Sequence, residues 1–141
     1  AGWYWQFNRM QGYKHDGINL TPGWTITSID EYSDWVVSND PCRIELGYNW
    51  RLPTSTEYTN VINAGGWTDW TGPWSSPLRL HAAGSLDLTN GGLFFRGSGG
   101  RYFSSTQTNN ISGYNLGFGS GNCNVYGNSK AYGYSVRCIS N

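Results

Sequence analysis

Acidic side chains run out at Asp87, and beyond it the chain carries only Arg96, Arg101, Lys130 and Arg137 as charges. A Ca²⁺ ion takes about six to eight oxygen ligands, several of them carboxylates, so the C-terminal third is badly equipped to hold a hard cation. Charge of either sign is scarce at 13% and the formal net charge is +0, which removes the general electrostatic attraction to nucleic acid or an anionic bilayer. No apolar run approaches the ~20 residues needed to cross a membrane, which argues against direct insertion. Cysteine is limited to Cys42, Cys123 and Cys138, without metal-finger spacing and in an odd number that leaves at least one thiol free in a monomer. Long amphipathic stripes of aliphatic residues are also missing, so long helices are not expected.

What takes their place is aromatic. Eight Trp and 10 Tyr bring the aromatic fraction to 16%, enough to predict a core of large rings rather than of Leu and Ile. The length of 141 residues and the lack of a linker predict one domain over 1–141.

Gly2 to Arg9 reads as an N-terminal strand, and the stretch through Thr27, with Gly12, Gly17, Pro22 and Gly23, as loop. Ser28 and Glu31 have capping-box spacing ahead of Tyr32, Trp35 and Val36, which predicts a short helix ending at Asn39-Asp40-Pro41. A second helix should start at Thr54, with Glu57 returning the cap, Tyr58, Val61 and Ile62 on its buried face and Gly65-Gly66 at its end. Beyond Gly66 the apolar pieces are strand-length: Leu78 to Ala83, Leu93 to Phe95, Tyr102 to Phe103, Tyr114 to Phe118 and Tyr134 to Ile139. Turn residues between them predict short antiparallel strands joined by long loops.

Tyr114 to Gly119 alternates with period two, placing Tyr114, Leu116 and Phe118 on a core face and Asn115, Gly117 and Gly119 on the other. The pattern continues loosely through Asn122, Asn124 and Tyr126, with Cys123 and Val125 turned the opposite way. Such a Gly/Asn/Tyr face has the chemistry of an antibody paratope, rigid rings among adaptable amides. The competing reading is ordinary loop and edge-strand composition.

Five ordered motifs span most of the chain: NDPC at Asn39 to Cys42, WRLPT at Trp50 to Thr54, HAAG at His81 to Gly84, RGSGGRYFSST at Arg96 to Thr106 and AYGYSVRC at Ala131 to Cys138. Together they resemble the paralogous surface domain of Fibrobacter and Bacteroidetes, which belongs with the C-type-lectin-like and formylglycine-generating-enzyme-like folds. The resemblance implies an α+β fold of short antiparallel strands, one or two helices and long loops, with the N- and C-terminal strands paired and a helix after RLPT. It also implies an extracellular location on a bacterial surface or a virion. Phe103 stands where the family usually has Trp; with Ser104, Ser105, Leu116, Phe118, Gly133, Val136 and Cys138 it would belong to the scaffold.

The chain is also similar to the variable proteins of diversity-generating retroelements, including phage tropism determinants, in which adenine-directed mutation turns Asn codons into codons for Tyr, Ser, Gly, Asp or Arg. That similarity implies a variable region of about 97–132. Its ligand-binding positions would be Gly99, Arg101, Asn110, Asn115, Gly117, Gly119, Asn122, Asn124, Tyr126 and Asn128, facing a cell-surface protein or glycan. From the motif positions the resemblance further implies a Cys42 to Cys138 disulfide, leaving Cys123, in the variable face, as the free thiol.

Three other functions compete. Calcium-dependent sugar binding lacks its Glu-Pro-Asn, Gln-Pro-Asp and Trp-Asn-Asp motifs, whereas metal-free sugar binding by Trp, Tyr, Asn and Arg stays open. Catalysis would have to come from Cys138 with His81, from a copper-binding pair of Cys123 and Cys138, or from a carboxylate pair among Glu57, Asp69 and Asp87. No spacing singles out any of these, so no catalytic residue, metal or cofactor is expected. A homo-oligomeric assembly module is the third, with Trp67, Trp70 and Trp74 divided between core, contact and ligand platform.

Overall fold

A computed structural model describes residues 2–141. The chain forms small antiparallel sheets with short helices between them, a mixed α+β architecture. β1 (Gly2–Tyr4), β2 (Tyr13–His15) and β3 (Leu20–Thr21) make the first sheet. A 3₁₀ turn at Val37–Asn39 leads into α1 (Pro41–Leu46), followed by β4 (Trp50–Arg51), α2 (Ser55–Gly65) and α3 (Thr71–Ser75). The hairpin of β5 (Ser85–Leu86) and β6 (Leu93–Phe94) precedes the largest sheet, β7 (Gly100–Gln107), β8 (Ser112–Phe118) and β9 (Cys123–Ser129). The chain closes with β10 (Ile139–Ser140).

α2 is the element whose sequence signals agree at every point. The Thr54 hydroxyl accepts from the Glu57 amide at 3.2 Å and the Glu57 carboxylate accepts from the Thr54 amide at 2.9 Å, satisfying donors that a helix start leaves bare. Gly66 ends it in the left-handed conformation at φ 62°. Tyr58 and Ile62 are buried against Trp67, Leu80, Tyr102, Leu116 and Phe118, with Val61 packed beside them. This cluster fastens α2 to one face of the β7–β8–β9 sheet.

A second cluster is built almost wholly from rings. Phe103 sits between Phe7 and Tyr134 at 5.5 and 4.4 Å between centroids, with Trp35 at 6.2 Å and Leu52 and Cys42 completing the packing. Rings at these separations add about 0.5–1.5 kcal/mol per pair beyond area burial. The Cys42–Cys138 disulfide borders this cluster and ties the C-terminal segment to α1. Ser104, Leu116 and Phe118, placed in the scaffold by the sequence, are likewise buried.

Five expectations are corrected. The helix expected after Ser28 is absent: 23–36 has no regular secondary structure, and the helix begins at Pro41, where the sequence suggested a stop. Asp40 is its N-cap, accepting from Cys42 N at 2.8 Å and from Leu52 N at 2.9 Å, while Pro41 occupies the first helical position, where its missing N–H costs nothing. Helices therefore number three among the described residues, not one or two. Leu78 to Ala83 is irregular rather than a strand. The expected pairing of the N- and C-terminal strands is reduced to one antiparallel bridge, Trp5–Tyr134, with N–H···O distances of 2.8 and 3.0 Å, while β1 pairs with β2 and β10 with β4. The N-terminal strand is also shorter than expected, giving way beyond Tyr4 to that bridge and a turn.

Candidate functional site

In an antiparallel sheet, residues directly opposite share a face. The register sets Arg101 opposite Gly117 and Gly117 opposite Asn124, while Asn115 lies opposite Phe103 and Tyr126 and Gly113 opposite Asn128. Arg101, Asn115, Gly117, Asn124, Tyr126 and Asn128 therefore share the face away from α2, as the period-two reading of β8 predicts. Part of that face is closed by the aromatic cluster, since Phe103 is buried and a side chain on Gly113 would strike the Phe7 ring at 2.5 Å. The part bearing Arg101, Asn124 and Tyr126 is not.

A polar network organises the open part. The Arg101 Nη1 donates to Asn115 Oδ1 at 3.2 Å and to Asn128 Oδ1 at 3.3 Å. The Asn115 amide donates to Asn128 Oδ1 at 2.9 Å and to the Tyr126 carbonyl at 3.1 Å. Asn115 is fully buried, so it forms the floor of the face rather than its surface. Gly117 is buried too, beneath a close approach: a Cβ there would come within 2.5 Å of Arg101 Nη1 and 2.9 Å of the Tyr126 ring. The absence of a side chain at 117 lets the guanidinium lie across the sheet.

At the end where β7 begins and β8 stops, this face opens into a groove of about 410 Å³. Gly99, Arg101, Gly119, Asn122 and Asn128 line it, joined by Phe95, Ser98, Ser120 and Tyr132, which the sequence reading did not select. Asn122 Nδ2 donates to the Tyr126 hydroxyl at 3.0 Å and so joins the rim. Asn110 stands apart at the β7–β8 turn, at the opposite end of the hairpin, where its amide donates to Asp30 Oδ1 at 2.6 Å. Of the ten positions, the structure thus gathers nine on or around one surface.

The groove holds one permanent charge, Arg101, and neither carboxylate nor imidazole among its lining. Such a lining can donate to carbonyl or hydroxyl oxygens through guanidinium and amides and can stack on the Tyr132 ring, but it offers no acid–base pair for proton transfer. Among the described residues, no group of three or more His, Cys, Asp or Glu side chains is placed to hold a metal ion. No helix among the described residues is long and apolar enough to cross a membrane.

Protein-family models, curated proteins and solved structures give no match to this chain. The site must therefore be read from its own geometry.

For Cys123 the alternation along β8 and β9 holds and the variable-face assignment does not, while one of the three tryptophans is core as expected. Cys123 is free, but its side chain is on the α2 side of the sheet beside Phe118, not on the Asn/Tyr face, and burial pushes its thiol up to about 11. Of the three tryptophans, Trp67 is core, whereas Trp70 and Trp74 are 43% and 40% exposed beside a second groove of about 570 Å³ that shares Ser98, Phe118 and Ser120 with the first. Exposed tryptophans in the GGWTDWTGPW run were the sequence signal for that neighbourhood; Phe95 lies in an apolar piece and Ser98 and Tyr132 in motifs, but nothing local singled them out as ligand positions.

Proposed function

We propose that this chain is a non-enzymatic recognition domain of the extracellular surface of a bacterium or a virion, with a C-type-lectin-like scaffold, and that the open face of β7–β9 binds a cell-surface protein or glycan. The observation that carries the reading is the register that sets Arg101, Asn124 and Tyr126 side by side above a locked floor of Asn115 and Gly117, at the mouth of the 410 Å³ groove. The reverse side of the same sheet is committed to α2, and the disulfide closes the frame, so the rim can vary in chemistry while the backbone beneath it stays put. Asn, Gly, Tyr and Arg at the rim are also the residue types that adenine-directed diversification yields, which supports a retroelement-diversified receptor-binding protein.

Two experiments test this. Sequencing the encoding locus in related isolates should reveal a reverse transcriptase and a template repeat, with adenine-directed differences at codons 99, 101, 122, 124 and 126; uniform codons and no such cassette would replace diversification with a fixed, metal-independent glycan reader. A screen against glycans and surface proteins should give a ligand whose binding is lost in an Asn122→Ser, Asn124→Ser, Tyr126→Ser variant of unchanged melting temperature. Retained binding by that variant would move recognition to another surface.

A further inference from the structure

A third groove, of about 660 Å³, runs between the N-terminal strand, the 79–83 segment and the 135–137 segment, away from the rim just described. We propose that it binds acidic oligosaccharides, whose carboxylate or sulfate groups pair with Arg79, Arg96 and Arg137 and whose rings stack on Trp3. The inference does not depend on the reading of the β7–β9 face.

The charge pattern is the first ground. The chain has nine Lys and Arg balanced by nine Asp and Glu, yet three of the cations line this groove and no carboxylate does. Among the described residues the ion pairs are Arg9–Glu31 and Arg51–Glu57, so none of the three is neutralised within the protein. Arg79 makes one bond, to the Trp74 carbonyl at 3.3 Å. Guanidinium groups left in this state present paired N–H donors in the planar fork that fits a carboxylate or sulfate.

The backbone is the second. Arg79 itself, at φ 50°, and Phe95, at φ 63° immediately before Arg96, are two of the three non-glycine residues held in the left-handed region. Bulky residues in that conformation are strained and persist where the surroundings over-determine them, often at binding sites. The surroundings are visible here. Gly97 N donates to the Ala82 carbonyl at 2.7 Å, and Gly84 is glycine because a Cβ would come within 2.2 Å of the Phe94 carbonyl and 2.7 Å of Arg96 N. Ser135 N, bonded to the Arg101 carbonyl at 3.0 Å, brings the segment bearing Arg137 alongside. Three arginines remote in sequence are thus brought to one groove by specific backbone bonds.

The third ground favours sugar over peptide. An acidic peptide can pair with arginines or add to a strand edge, and although the outer edge of β7 is taken by Gly84 N on the Gly99 carbonyl at 2.9 Å and by Phe103 N on the Ser135 carbonyl at 3.1 Å, β1 is an edge strand beside this groove, so hexaglutamate is the control that separates the two ligand classes. What favours sugar is ring faces. Trp3 is 53% exposed at one end, and past His81, Ala82 and Gly97 the groove continues into the one flanked by Trp74, whose indole stacks edge-on to His81 at 5.0 Å. An indole face covers the apolar face of a sugar ring while arginine engages its acid group.

Isothermal titration with four probes tests the proposal: a galacturonate hexasaccharide, a heparin hexasaccharide, neutral cellohexaose and hexaglutamate. The expected result is binding of at least one acidic hexasaccharide, weakened at least tenfold in Arg96→Gln, Arg137→Gln, weakened by salt, and unchanged in Asn124→Ser, Tyr126→Ser. Cellohexaose and hexaglutamate should bind at least tenfold more weakly than that probe, and the preferred acidic probe distinguishes carboxylate from sulfate. Should the double variant unfold, Arg96→Gln and Trp3→Ala singly, both at exposed positions, serve in its place with the same expected loss. Binding of neither acidic sugar, undiminished binding by the variants, or equal binding of hexaglutamate overturns it.

Discussion

The guanidinium carbon of Arg101 stands 4.8 Å from the centre of the Tyr126 ring, while the same group donates down to Asn115 and Asn128. One cation therefore joins two layers: an exposed rim whose contacts are each worth little and a buried floor whose amides have nowhere else to bond.

Stability should separate those layers. Replacing Asn124 and Tyr126 by Ser removes exposed amide contacts and a cation–π pair worth about 0.5–1 kcal/mol, so unfolding in urea should shift by about 1 kcal/mol or less. Asn115→Ala removes the buried Asn115 amide, leaving the half-buried Asn128 oxygen without that donor and taking one bond from the Tyr126 carbonyl, and should cost about 1–3 kcal/mol. A costlier rim than floor would mean that the layers have been assigned the wrong way round.

Cys42 and Cys138 are separated by 96 residues, and a cross-link of that span restricts the unfolded chain strongly. Cys42→Ser, Cys138→Ser should lose about 2–5 kcal/mol, measured as the change in urea unfolding free energy with the slope tracked separately.

The bidentate pair of Arg51 and Glu57, at 2.7 and 2.9 Å, holds the Glu57 carboxyl down at about 2 against an ordinary 4.5, with the helix-capping bonds assisting. A depressed carboxylate contributes stability that is whole above pH 4.5 and is lost as the pH falls through about 2, because the unfolded chain takes up the proton first. Wild type should therefore lose stability between pH 4.5 and 2 more steeply than Glu57→Gln, which has no carboxylate there to protonate.

A thiol raised from 9.0 to about 11 by burial has a thiolate fraction near neutrality roughly a hundredfold below that of an ordinary cysteine. Cys123 should react slowly with iodoacetamide at pH 7.5 in the folded protein and rapidly in 6 M urea, about tenfold or more apart when followed by intact mass. Equal rates would place the thiol on the open face after all.

What the sequence made legible was local. The Thr54–Glu57 box, the Gly66 stop and the alternation of β8 depend on neighbours a few residues apart, and each is realised. Ser28 and Glu31 have the same spacing as Thr54 and Glu57, but the Glu31 carboxylate is taken by Asn8 and Arg9 and its amide by the Asn110 carbonyl, so long-range partners outcompeted a helix. Asp40-Pro41 was legible and misassigned, since the same pair that ends one helix is well suited to start the next. Arg96 and Arg137 stand out as isolated charges within motifs, but nothing local joins them to Arg79: only backbone bonds such as Gly97 to Ala82, Gly84 to Gly99 and Ser135 to Arg101 bring the three to one groove.

The Cys42–Cys138 bond has one more effect, on survival rather than on folding. Every exposed turn of the β7–β9 sheet, from Asn109–Ile111 to Ser120–Asn122, lies inside the loop that it closes. A protease that cuts there opens a ring instead of releasing a fragment, and the two pieces stay one covalent molecule, clamped also by the Trp5–Tyr134 and β4–β10 pairings. Damage at the most exposed points of the face need not detach it from the rest of the chain.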